Sequence, residues 1–119
     1  MGSFDPHIGS ALQTGKVFAM AYDVKWKTKE TEEFVRAILL LESEEDCYRF
    51  FDDIFTVKEI QSIAQRLHVA RLLSEKKTYV DIEKETNAST ATISRVNRSL
   101  SYGADGYKLL LQRLEEAEK

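Results

Sequence analysis

Apolar residues recur at intervals of three and four along most of the chain, which is the pattern of helices that bury one face. Proline occurs only at Pro6, and no glycine stands between Gly15 and Gly103. No segment shows the alternation of β-branched residues that marks strands. The pattern therefore predicts an all-α fold, with residues 1–27 as a flexible N-terminal arm and residues 28–119 as a single domain.

Six helices are expected, and several of them have clear starting signals. Ser43 is placed to cap the second helix and Thr78 the fourth. Thr56 begins a capping box with Glu59, in which each side chain accepts from a backbone N–H at the other residue. The expected ranges are about 29–42, 43–55, 56 onward, 78–86, 90–100 and 107 onward. One stripe of the third helix is expected to be buried: Ile60, Ile63, Ala64, Leu67 and Ala70.

The first helix carries more apolar side chains than a small single domain can cover. Few polar side chains remain around the second half of this helix, because apolar residues occupy Phe34, Val35 and positions 37–41. A helix that is apolar nearly all round must be covered on all sides. We therefore expect a second subunit to cover it.

Residues 78–100 have the pattern of a helix-turn-helix, with its limits at about 79–100. Ile82 in the shorter helix faces a stripe formed by Ile93 and Val96 in the second. Asn87 occupies the turn position that needs a positive φ, which Asn tolerates better than most residues. Ser89 can then cap the second helix.

The solvent-facing side of that second helix begins with small side chains and continues with arginines. Small residues allow close approach to base edges, and arginines pair with guanine edges or phosphates. Lys76 and Lys77, just before the motif, are expected to contact phosphates. The predicted DNA-binding residues are Lys76, Lys77, Thr90, Ala91, Thr92, Ser94, Arg95 and Arg98. The alternative is an amphipathic helix pair that merely packs.

The charge of the chain is unevenly distributed. The net charge is −3, but residues 29–54 hold three basic against nine acidic residues, whereas residues 56–101 hold eight against five. Residues 88–101 contain Arg95 and Arg98 and no acid. Because phosphate responds to the local field, this basic segment is compatible with nucleic-acid binding despite the acidic total.

Other classes of protein find little support in the sequence. No run approaches the roughly 18 apolar residues of a membrane span, so no membrane association is expected. The single cysteine, Cys47, and the two histidines form no metal-site spacing, and we expect no metal. There is no Gly-rich phosphate loop and no paired nucleophile and base. We therefore expect neither an enzyme nor a secreted protein, and place the chain in a reducing cytoplasm.

Residues from about Phe34 to Glu116 resemble the tryptophan repressor (Trp repressor) family, and most closely its YerC/YecD-type branch of Trp-repressor-related proteins. The resemblance is carried by FTVKEIQSIAQRLHVARLL (55–73) and KTYVDIEKETNASTATISRVNRSL (77–100), with six helices in family order. It implies a Trp-repressor-like fold that forms an intertwined homodimer, associated with the bacterial nucleoid. The two helix-turn-helix motifs of such a dimer, about 34 Å apart, would meet successive major grooves of a near-palindromic site.

The resemblance also implies a pocket in which two arginines hold the indole of tryptophan. Its positions correspond here to Thr56, Arg66, Thr92, Arg95, Val96 and Ser99. Val96 departs from the small glycine of the family and would fill space that the indole needs, at a typical cost of about 1–3 kcal/mol for such overpacking. We therefore expect no tryptophan-like effector and no cofactor. Either the helix-turn-helix is held permanently in the geometry that binds DNA, or another ligand occupies a reshaped pocket.

Taken together, these patterns predict a sequence-specific DNA-binding regulator of transcription, a repressor that reads double-stranded DNA as a dimer. The alternative is a helical dimer module whose head binds a protein partner.

Overall fold

A computed structural model describes residues 22–119 and shows six helices, with no strand in that range. The helices are α1 (Lys29–Leu39), α2 (Glu44–Ile54), α3 (Val57–Ser74), α4 (Tyr79–Thr86), α5 (Thr90–Tyr102) and α6 (Gly106–Ala117). Between residues 22 and 119, the predicted all-α class and the six predicted helices are confirmed. Of the predicted arm, residues 1–21 lie outside the described residues, and the boundary at residue 28 stays a prediction. No helix between residues 22 and 119 is long and apolar enough to cross a membrane.

The chain divides after Arg49 into two compact units, of which the first contains α1. Thr28 caps α1 in a reciprocal capping box with Thr31, because each side chain accepts a hydrogen bond from the other's backbone N–H. No residue of α1 is buried, and its C-cap residue, Leu40, is 68% exposed. Within the described residues of this first unit, the apolar surface that the sequence places on this helix is therefore not fully covered.

The first helix is shorter than the sequence predicted, since it ends at Leu39 rather than at Glu42. The start of α2 explains the difference. The Asp46 carboxylate accepts from the Glu42 N–H at 3.0 Å, and Ser43 Oγ accepts from the Asp46 N–H at 3.0 Å. Glu42 is thus part of the cap of α2 and cannot continue α1. The predicted capping role of Ser43 is confirmed.

The second unit, Phe50–Lys119, contains α3 to α6. The Thr56 capping box at the start of α3 is confirmed: the Thr56 N–H donates to Glu59 at 2.8 Å and the Glu59 N–H donates to Thr56 Oγ1 at 3.1 Å. Helix α3 packs against α4, α5 and α6, and α5 packs against both α4 and α6. The core that they share consists of Val69, Ala70, Leu72, Ile82, Ala88, Ile93 and Val96.

The predicted buried stripe of α3 is confirmed at Ala70, is half-buried at Ile60 and Leu67, and is wrong at Ile63 and Ala64. Only Ala70 is buried, Ile63 is 44% exposed, and Ala64 is exposed. The residues that α3 contributes to the core all lie in its C-terminal half, where α4 and α5 cover the helix. Apolar spacing identified the helix correctly but not which of its residues the rest of this chain covers.

Candidate nucleic-acid interface

Helices α4 and α5 are joined by a three-residue turn whose conformation is fixed by local hydrogen bonds. Thr78 caps α4 by accepting from the Asp81 N–H at 3.1 Å. Asn87 ends α4 with a φ of 62°, and its N–H donates to the Glu83 carbonyl at 2.9 Å. Ser89 then caps α5 by accepting from the Thr92 N–H at 3.1 Å. The predicted caps and the positive φ at Asn87 are confirmed.

The inward side of this helix pair packs into the core. Ile82 and Ile93 are 0% exposed and Val96 is 1% exposed, as is expected when two helices pack face to face. Ala88 in the turn is also buried, which brings the turn against α3. The orientation of α5 relative to α4 is therefore fixed by packed side chains.

Two residues that the sequence analysis did not single out hold the turn against α3. Gln65 Nε2 donates to the carbonyl oxygen of Thr86 at 3.0 Å, and both residues are half-buried. The Thr86 hydroxyl donates to the Ile82 carbonyl at 2.7 Å and accepts from the Ala88 N–H at 3.1 Å. Gln65 stands 21 residues before Thr86, so no local pattern reveals this pair.

The outward side of α5 carries most of the predicted DNA-binding residues. Thr90, Ala91, Ser94, Arg95 and Arg98 are exposed. Thr92 is half-buried, and its hydroxyl accepts from Ser89 Oγ at 3.1 Å, so it takes part in the cap of α5. The structure thus brings five of the six predicted α5 residues onto the solvent side and directs the sixth toward the turn.

The basic side chains that are predicted to bind DNA have no carboxylate partner among the described residues. Among residues 22–119, no ion pair involves Lys76, Lys77, Arg95 or Arg98, and all four are exposed. Both lysines follow the end of α3, where Lys76 has a φ of 68°. Exposed cations without a partner are available to bind an anion.

A carboxylate also lies at this surface. Glu83 on α4 is exposed, and its Oε2 accepts a hydrogen bond from Thr90 Oγ1 at 3.1 Å. The side chain therefore does not insert between the helices, and it bridges from α4 to the first residue of α5.

An open cavity of about 560 Å³ lies among α3, α5 and α6. Two of the residues predicted for an effector pocket, Arg66 and Ser99, line it together with apolar side chains such as Leu67 and Leu110. Arg66 makes no ion pair in the described part of the chain. The remaining predicted pocket residues do not line this cavity: Thr56, Thr92, Arg95 and Val96.

Val96 belongs to the core rather than to the wall of the cavity. A planar ligand at its position would have to displace a side chain that packs against Ile82 and Ile93 within the same cluster. Thr56 is likewise occupied by its capping box. The structure thus places Arg66 and Ser99 at one cavity and the other predicted pocket positions elsewhere.

Comparison with known proteins shows what this architecture is similar to. Residues 29–115 match the family described as Trp repressor protein. Protein YerC of Bacillus subtilis (strain 168) is 56% identical over 94 residues, which are 79% of this chain and 90% of that protein. A crystal structure of a TrpR-like protein from Eubacterium eligens ATCC 27750 has a TM-score of 0.74 and 52% identity, covering 76% of this chain and 94% of that one. A Staphylococcus aureus structure, classed as a candidate Trp repressor, has a TM-score of 0.73 and 47% identity, covering 87% and 94%. The chain therefore belongs to the Trp repressor family, a regulatory rather than an enzymatic family.

Proposed function

We propose that the protein is a sequence-specific DNA-binding regulator of transcription whose helix-turn-helix is the α4–turn–α5 pair. The observation that supports this most directly is the division of α5 into two sides. Ile93 and Val96 are covered by the core, whereas Arg95 and Arg98 are exposed and unpaired among residues 22–119. A helix fixed on one side and bearing donors on the other suits a major groove, which admits one α-helix.

The predicted contacts fall into two classes. Arg95 and Arg98 have the reach and donor geometry to pair with guanine edges or with phosphates. Lys76 and Lys77 are compact point charges suited to phosphates, which position a protein on the duplex without reading its sequence. Thr90, Ala91 and Ser94 are small enough to let the helix approach the bases closely.

The proposal includes a homodimer. Val57 at the start of α3 is 70% exposed, Ile63 is half-exposed, and Leu109 and Leu110 on α6 are also exposed. Homodimer interfaces are more apolar than the rest of a protein's surface. A second copy that covers them would carry a second helix-turn-helix. Two such motifs about 34 Å apart would meet successive major grooves of a duplex.

We further propose that the protein acts as a repressor at the bacterial nucleoid. Relatives that carry the name of a repressor support repression rather than activation. A dimer bound across a near-palindromic site would then block access to that stretch of DNA.

The test is selection of bound duplexes from a random pool by the purified full-length protein. We expect enriched sequences with an inverted half-site repeated at about one helical turn. Binding to the selected duplex should weaken steeply with salt, since log K falls by about 0.9 per phosphate contact for each decade of salt. Absence of any enriched sequence, together with salt-insensitive binding to a protein, would instead support the helical module that binds a protein partner.

A further inference from the structure

The surface at the start of α5 contains an arrangement that a purely phosphate-binding face does not need. Glu83 is an exposed acid there, and it accepts a hydrogen bond from Thr90, the first residue of α5. No cation within the described residues forms an ion pair with Glu83. An unpaired carboxylate facing a duplex repels phosphate and lowers affinity unless it finds a hydrogen-bond donor.

The chemistry of the Glu83–Thr90 pair restricts what that donor is. The Thr90 hydroxyl has one proton, which it donates to Glu83 Oε2 at 3.1 Å. The pair therefore presents only acceptors to its surroundings: hydroxyl lone pairs and the second carboxylate oxygen. Phosphate and sugar ring oxygens are acceptors too, so the DNA backbone offers this pair nothing to bind.

Base edges in the major groove do offer donors. The exocyclic amines of cytosine (N4) and adenine (N6) are the two that are exposed there. Adenine places its N7 acceptor beside that amine, which would face a carboxylate unfavourably, whereas cytosine has no such acceptor. The N-terminal residues of a recognition helix are the ones that approach base edges, and Thr90 is the first of them in α5.

We propose that Glu83, held by Thr90, is a specificity-determining residue that selects a cytosine in each half-site. This inference rests on the proposed DNA-binding function and deepens it. Arg95 lies five residues beyond Thr90, which is about 7.5 Å along the helix axis, or roughly two base-pair steps of 3.4 Å. If α5 lies along the groove, the position read by Glu83 is therefore distinct from any guanine read by Arg95.

A purely structural role for Glu83 predicts something different. A carboxylate near the N-terminus of a helix is stabilised by the helix dipole, and the Thr90 hydrogen bond would hold it there without any DNA. In that case removing the charge changes stability, and it changes DNA affinity by the same factor for every sequence.

The deciding experiment repeats the selection from random duplexes with the wild-type protein, Glu83→Gln and Thr90→Val. An amide pairs with both N6 and N7 of adenine, so Glu83→Gln should change the preferred base from cytosine to adenine at one position of each half-site. We expect discrimination of about tenfold at that position for the matched base. Thr90→Val, which removes the hydroxyl and keeps the branched shape, should weaken the cytosine preference without creating one for adenine. The preferences at all other positions serve as the internal control.

Each outcome separates the inference from the function on which it rests. An unchanged consensus in Glu83→Gln, whether affinity rises or falls, overturns the inference and leaves DNA binding intact. If the wild-type protein enriches no sequence, the proposed function fails and the inference fails with it. Thermal melting of both variants shows that they fold, and because they alter different members of the pair, one unfolded variant still leaves the other to decide.

Discussion

Gln65 and Thr86 connect α3 to the turn of the candidate DNA-binding motif. Gln65 Nε2 donates to the Thr86 carbonyl oxygen at 3.0 Å, and the Thr86 side chain in turn accepts from the Ala88 N–H in the turn. The Thr86 carbonyl lies at the C-terminus of α4, where helix carbonyls lack intrahelical partners. Gln65 thus satisfies an acceptor that the helix itself cannot satisfy.

Replacing Gln65 by alanine should lower the free energy of unfolding by about 1–2 kcal/mol, because the half-buried Thr86 carbonyl loses its donor. Urea denaturation measures the change. Gln61→Ala is the matched control, since Gln61 lies on the same helix, is exposed and makes no side-chain hydrogen bond among the described residues. We expect that control to stay within about 0.5 kcal/mol of the wild type. Equal effects of the two substitutions would show that the Gln65 hydrogen bond contributes nothing.

The features that the sequence predicted correctly depend on residues a few positions apart. Thr56, Thr78 and Ser89 cap their helices through residues three positions ahead, and Asn87 adopts its positive φ within a single turn. Such signals can be read from the chain directly.

The features that were missed depend on which helices meet. The stripe on α3 was only partly right because spacing marks an apolar face without showing what covers it, and Ile63 is left 44% exposed. Gln65 and Glu83 find partners on neighbouring helices, and neither occupies a position with a distinctive local pattern. Contacts of this kind follow from packing and become visible only once the helices are placed.

Lys76 offers a test in which stability and DNA binding should change in opposite directions. Its φ of 68° costs a residue with a Cβ about 1–2 kcal/mol, and glycine removes this cost. Part of the resulting gain in stability is offset because glycine has greater conformational freedom in the unfolded chain. Lys76→Gly should therefore raise the free energy of unfolding by about 0.5–1 kcal/mol. The same substitution should reduce the salt slope of DNA binding by about 1, since a phosphate contact is lost.

Lys77→Gly is the control for Lys76→Gly, because Lys77 carries the same charge and is not among the residues with positive φ. It should weaken DNA binding similarly and bring no gain in stability. If both substitutions stabilise the protein equally, relief of backbone strain at Lys76 is not the cause.

Gly103 ends α5 at a point where no side chain fits. A Cβ there would lie 2.4 Å from the Ser99 carbonyl oxygen, which is backbone and cannot move aside without distorting the helix. Gly103→Ala should lower the free energy of unfolding by about 1–3 kcal/mol, the usual cost of overpacking. Gly106→Ala is the matched control, since a Cβ at Gly106, the first residue of α6, meets nothing within 4 Å. Calorimetric melting of both variants should show a clear loss for the first and none for the second.

Free tryptophan should not act as an effector of this protein. Val96 is 1% exposed within the core, so an indole at that position would have to displace a packed side chain. Calorimetric titration of the protein with L-tryptophan should show no saturable heat, and DNA affinity should be the same with and without the amino acid. Micromolar binding would contradict the prediction, and the cavity lined by Arg66 and Ser99 would then be the candidate binding site.

The two arginines on the outer side of α5 provide the most direct test of the reading surface. Arg95→Ala and Arg98→Ala should each weaken binding to the selected duplex by about 1–3 kcal/mol if they reach base edges, and should relax the preference at one position. An arginine that contacts only phosphate would instead weaken binding to all sequences alike. Fluorescence anisotropy with the selected duplex and with single-base variants distinguishes the two cases.

The control for these arginines is Arg113→Ala on α6, which removes the same charge from an exposed residue with no ion pair between residues 22 and 119. It changes the net charge of the protein equally, so any general electrostatic effect on DNA affinity appears in it too. A loss confined to the α5 variants assigns binding to the outer side of that helix. If the double variant Arg95→Ala and Arg98→Ala binds as well as Arg113→Ala does, α5 is not the reading helix, because both arginines on its exposed side would have been removed without consequence.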